Sequence, residues 1–140
     1  MSEENQTNEL PEWTEDDIIF FPSGIPGFED SKRYIIVTVP EYEPFHWLQC
    51  IDGNKIRLAV INPLVFKSDY SPHISKAELE TLKIEDPNDL LMYVIITLRS
   101  PLSDSSANLM GPLFINIKTR MGKQIIIDDN AYSLREKIID

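Results

Sequence analysis

The chain has 140 residues, 42% of them hydrophobic, a formal net charge of −10 and one cysteine. That length supports one domain with a real core and not two ordinary ones, and no apolar run approaches the roughly 20 residues of a membrane-spanning helix. The acidic balance disfavours direct nucleic-acid binding, which needs a basic patch to neutralise phosphate.

Seven acids and no Lys or Arg lie in the first seventeen residues, leaving 16 acids against 13 bases in the remainder. Residues 1–16 are therefore expected to form an acidic flexible arm and residues 17–140 a β domain. The arm is either simply solvated or an anionic segment that competes for a basic partner surface. The N-terminus lacks the basic and apolar regions of a signal peptide, and Cys50 has no partner for an internal disulfide, so a cytoplasmic location and no membrane partner are expected.

The first apolar run, residues 18–21, leads into Phe20-Phe21-Pro22-Ser23-Gly24-Ile25-Pro26-Gly27-Phe28-Glu29. Two prolines that fix φ and two glycines that reach conformations closed to other residues predict a stiff turn. Phe28 then either plugs the core from outside, the commoner use of a turn-flanking phenylalanine, or is displayed with Glu29 to a partner. Further runs of strand length and composition follow at 34–39, 46–51, 57–61, 91–98, 113–117 and 124–127. Asp52-Gly53 predicts a hairpin joining 46–51 to 57–61, and turns are expected at 100–106 and 120–122. Several runs are continuously apolar, as in Tyr93-Val94-Ile95-Ile96, which suits strands buried on both faces or a small closed barrel.

Within residues 72–82, Ser75 followed by Glu78 reads as a capping box opening a short helix, with Ile74, Leu79 and Leu82 on one side. Leu134 and Ile138, at i and i+4, suggest a further helical turn over 132–138. The expected fold is mainly β, a single-domain small β-barrel or sandwich with one or two short helices.

No catalytic constellation emerges. His46 and His73 stand far apart without ligand-spaced partners, and His46 and Cys50 on one strand would lie about 13 Å apart, too far for a base and its nucleophile. His46 reads as a half-buried strand residue, His73 as surface, and Cys50 as a buried inert thiol. Pro26 interrupts any amide cradle for phosphate in the glycine turn. Neither an enzyme nor a cofactor is expected. Asn62, Asn108 and Asn116 suit either capping of turns or hydrogen bonding to a partner's main chain.

Four segments, taken in order, resemble the FliW family of flagellar assembly factors: Gly24 to Glu29, Asn62-Pro63 with Asp69-Tyr70, Asn108-Leu109-Met110-Gly111-Pro112 through Asn116, and Gly122-Lys123-Gln124. The chain departs from the family at its start, where a polar tail with Pro11 and Trp13 replaces the usual alternating strand. The resemblance implies a regulator, monomeric when free, that binds flagellin before export and the RNA-binding translational repressor CsrA, the two exclusive or nearly so. On this reading Phe28, Glu29, Asn62, Asn108 and Asn116 are the candidate partner-binding residues. The alternative is a small nucleic-acid-binding OB-like barrel using Lys118, Arg120 and Lys123, and a third is a ligand-binding barrel enzyme.

Overall fold

The computed structural model describes residues 12–53, 56–127 and 131–138. Nine strands form one sheet: β1 (Ile19–Phe20), β2 (Arg33–Val37), β3 (His46–Cys50), β4 (Arg57–Ile61), β5 (Leu90–Thr97), β6 (Ser106–Ala107), β7 (Leu113–Asn116), β8 (Met121–Gln124) and β9 (Glu136–Lys137). Seven of them close a barrel in the order β1-β2-β3-β4-β5-β7-β8, with β8 returning to β1. The β1–β8 pair is parallel and every other pair antiparallel. β6 and β9 branch from the C-terminal end of β5.

Alternation along each strand divides the apolar residues between an inner and an outer core. Ile19, Phe21, Tyr34, Leu48, Cys50, Val60, Leu113 and Ile115 fill the interior. Their neighbours Ala59, Ile61, Val94 and Ile96 are buried outside the wall with Tyr70, Ala107 and Leu109. A third cluster of Leu82, Phe114, Ile125 and Ile127 lies over β7 and the chain that follows β8. The continuous apolar runs are thus covered on both faces, as expected of a small barrel. Cys50 is a buried free thiol, His46 is half-buried and His73 exposed. The β3–β4 hairpin forms as expected, with Gln49 opposite Arg57.

The single α-helix among the described residues, α1 (Lys76–Thr81), starts at the expected cap: Ser75 Oγ accepts the Glu78 amide at 3.1 Å. The other half of the expected capping box is not its geometry, because the Glu78 carboxylate pairs with Lys123 Nζ on β8. Two expectations are corrected. The helical turn over 132–138 is instead a turn at 134–135 leading into a strand: Leu134 is exposed, so its spacing from Ile138 marks no buried face, and Glu136–Lys137 pairs with Ser106–Ala107, a strand at the edge of the expected 100–106 turn. The strand expected at 124–127 lies earlier, at Met121–Gln124, because Asn116 closes the preceding turn. Asn116 Oδ1 accepts the amides of Lys118 (2.9 Å) and Thr119 (3.3 Å), and Arg120 takes φ +62°. The arm expected over 1–16 lies mostly outside the described residues; within it, Glu15–Asp17 form a 3-10 turn in which the Asp17 carboxylate accepts the Thr14 amide. No described helix is long and apolar enough to cross a membrane.

Candidate functional site

Successive residues of β1 bond to opposite neighbours: Phe20 N–H donates to Arg120 O on the β8 side (2.8 Å), and Phe21 N–H donates to Lys32 O on the β2 side (2.7 Å). Gly24 N–H then donates to Phe21 O at 2.8 Å, and Gly24 adopts φ +69°. A Cβ here would lie 2.6 Å from the Glu29 backbone, so the turn closes on itself only because this residue is glycine.

Ile25, 1% exposed, enters the barrel interior. Its carbonyl accepts the Phe28 amide at 2.6 Å, which reverses the chain and leaves Phe28 37% exposed. The plug is therefore Ile25, and Phe28 does not fill the core from outside but lies at the surface. Gly27 holds φ +92°, and its amide donates to Glu29 Oε2 at 3.1 Å, so the carboxylate is held against the turn.

Between this turn, the end of α1 and the edge of β8 lies a cavity of about 400 Å³, lined by Pro22, Gly24, Glu29, Leu82, Lys123 and Gln124 among others. Gly122 allows the two sides to meet: a Cβ there would lie 2.6 Å from the Phe21 ring. Gln124 Nε2 donates to Gly111 O at 2.8 Å and ties β8 to the 108–116 segment. Of these residues Glu29 was a candidate partner contact from the sequence, whereas Pro22, Leu82, Lys123 and Gln124 read there as parts of a turn, a helix side, a basic cluster and a strand.

The three asparagines do not gather at this groove. Asn116 is 2% exposed, and its Nδ2 donates to Leu82 O (2.8 Å) and Lys83 O (3.2 Å) while Oδ1 accepts two amides. With both ends of its amide engaged, Asn116 is a hub joining the α1 exit to the β7–β8 turn, which removes it as a contact for a partner. Asn62, exposed, caps the Pro63–Val65 turn by accepting the Leu64 amide at 3.0 Å. Asn108, half-buried, accepts the Met110 amide at 3.0 Å.

The basic residues that the nucleic-acid alternative would use are already engaged. Lys123 pairs with Glu78, Lys118 lies 3.7 Å from Asp89, and Arg120 Nη2 donates to Asp17 O at 2.9 Å. At the bottom of the β2–β3 pair, burial pushes the Asp52 carboxyl up, but hydrogen bonds and charge from Arg33 outweigh it and hold the group below the usual aspartate value. Burial, with smaller contributions from Cys50 and Asp52, pushes the Tyr34 hydroxyl up to about 12, and this hydroxyl has no hydrogen-bond partner among the described residues.

Comparison with known proteins bears on the whole chain. The family model described as FliW protein matches residues 3–138. The chain is 41% identical over 130 residues to the flagellar assembly factor FliW of Alkaliphilus metalliredigens, covering 92% of this chain and 80% of that protein. It is 42% identical to that of Thermoanaerobacter pseudethanolicus (92% and 87%) and 33% identical to that of Bacillus subtilis (89% and 87%). A crystal structure of the flagellar assembly factor FliW superposes with a TM-score of 0.86 at 32% identity, covering 93% of this chain and 91% of that one.

Proposed function

The chain belongs to the FliW family of flagellar assembly factors, and from that premise we propose that it is a cytoplasmic protein-binding regulator that holds flagellin and antagonises CsrA by partner switching. A role in flagellar assembly follows from the family; the partners, their exchange and the compartment are our reading. The observation that carries it is the displayed turn: Phe28 and Glu29 stand on a stiff glycine-proline loop whose own core contact is made by Ile25. A loop anchored in this way offers an aromatic ring to a partner with little ordering cost on binding.

Phe28 and Glu29 are the proposed contacts, with Asn62 and Asn108 as secondary candidates through the amide groups their caps leave free. Partner exchange by mass action requires only that one surface, or two antagonistic ones, serve both ligands. The test is size exclusion of the protein with CsrA while flagellin is titrated in. Displacement of CsrA as flagellin saturates is expected. A stable peak containing all three proteins at saturating flagellin would mean the sites neither overlap nor oppose one another, and the exchange reading would be abandoned.

A further inference from the structure

The groove beside the turn has a floor of a particular kind. In an antiparallel pair the main-chain groups of successive residues face opposite edges. Ile125 and Ile127 donate their amides to Pro112 O (3.0 Å) and Met110 O (2.7 Å), so the odd-numbered residues of this segment bond across toward the β7 side. Gly122 and Gln124 consequently turn their main-chain groups toward β1. There the parallel pair is a single step, Phe20 opposite Met121, which engages Arg120 O with Phe20 N–H and places Gly122 N–H on Phe20 O.

The next donor along β1 would be Pro22, which has no N–H. The ladder stops at that residue, and the chain enters the turn that Gly24 N–H closes on Phe21 O. Among the described residues, Gly122 C=O and Gln124 N–H are left without a main-chain partner in the groove that Pro22, Gly122 and Gln124 line, where Gly122 is buried and Gln124 half-buried. A strand edge whose donor and acceptor groups are open to a groove is the template on which an extended segment of another chain adds.

We propose that the occupant of this groove is an extended segment of a partner protein, which adds to β8 as a strand and continues the ladder that Pro22 interrupts. In parallel register, one residue of that segment opposite Lys123 satisfies both open groups, donating to Gly122 C=O and accepting from Gln124 N–H. Glu29 lines the groove opposite β8, so its carboxylate stands beside the segment that would add there. This mode of binding rests on the protein-binding reading above and deepens it.

Residue-resolved amide exchange by NMR tests it on the unaltered protein, alone and after isolation of its complex with flagellin. In the free protein the Gln124 amide should exchange at least tenfold faster than those of Ile125 and Ile127. In the complex it should slow at least tenfold while Ile125 and Ile127 change little. Protection of Gln124 already equal to Ile125 in the free protein would overturn the open edge. A complex that forms and leaves the Gln124 rate unchanged would overturn strand addition while leaving the protein-binding reading intact. Failure to form any complex would remove the reading itself, and this inference with it.

Discussion

The wall from β2 to β5 and the seam between β1 and β8 close the same barrel by unlike means. Along the wall, β2 and β3 pair over four residues, as do β3 and β4, and alternate side chains interlock above and below. At the seam one pair, Phe20 with Met121, completes the circle, and a proline stops it from extending. The comparison teaches that stability and recognition occupy different parts of the ring. Where main-chain bonding is complete the sheet offers nothing further to a partner, and where it stops, the glycine-proline loop and the open β8 edge lie together.

The largest effect expected from the wall is on stability alone. Leu48, 1% exposed in the interior cluster, should cost about 2 to 5 kcal/mol when changed to Ala, through lost burial and the cavity left behind. Urea unfolding would measure this, and flagellin affinity at temperatures where the variant remains folded should be unchanged.

At the seam, Gly24→Ala should cost about 2 to 3 kcal/mol, because a positive φ and a clash with the Glu29 backbone act together, and it should weaken binding as well. Gly27→Ala meets no neighbour and carries only the strain of its φ, about 1 kcal/mol. Urea midpoints in the reverse order would break the account of the turn.

Much of this was legible in the sequence, and the exceptions have physical causes. Strands β2, β3, β4, β5 and β7 were found from apolar runs, because both faces are buried and composition alone marks them. β6 and β9 were missed because two-residue strands carry no periodicity; only their pairing with each other and with β5 defines them. The start of β8 was misplaced because its first residues, Met121-Gly122, look like a turn, whereas Asn116 closes the real turn through its side chain. The glycine-proline turn was legible as rigid. Which residue of it enters the core was not, since Ile25 and Phe28 are equally apolar in sequence and only the reversal between them decides. The groove's other walls come from α1 and β8, more than fifty residues away in the chain, and no local pattern could bring them to the turn.

Smaller effects are expected where the wall carries charge. Asp52→Asn removes the pairing with Arg33 and should cost about 0.5 kcal/mol at pH 7, a modest figure because both groups are partly exposed. The Asp52 pKa is lowered on folding, so its contribution is present above the unfolded value of about 3.9 and lost as pH falls through the lower folded value. The gap in urea midpoint between the two proteins should therefore close in strong acid.

The smallest effect at neutral pH is expected for Tyr34→Phe, which removes a buried hydroxyl without a partner among the described residues and should be neutral or slightly stabilising. Because the folded pKa of Tyr34 is raised to about 12, its protonated form favours the folded state fully below about pH 10, and that advantage is lost as pH rises toward 12. Thermal melts across that range should show a shallower alkaline decline for the variant.

The division between wall and seam is tested most directly by calorimetric titration of flagellin into two surface variants. Phe28→Ala alters the displayed ring of the seam, and Val65→Ala alters an exposed apolar residue on the turn that follows β4. Phe28→Ala should weaken binding at least tenfold, equivalent to about 1.4 kcal/mol, with an unfolding midpoint close to the parent's, while Val65→Ala stays within about twofold. Unchanged affinity in Phe28→Ala together with a large loss in Val65→Ala would place recognition away from the seam and contradict the account.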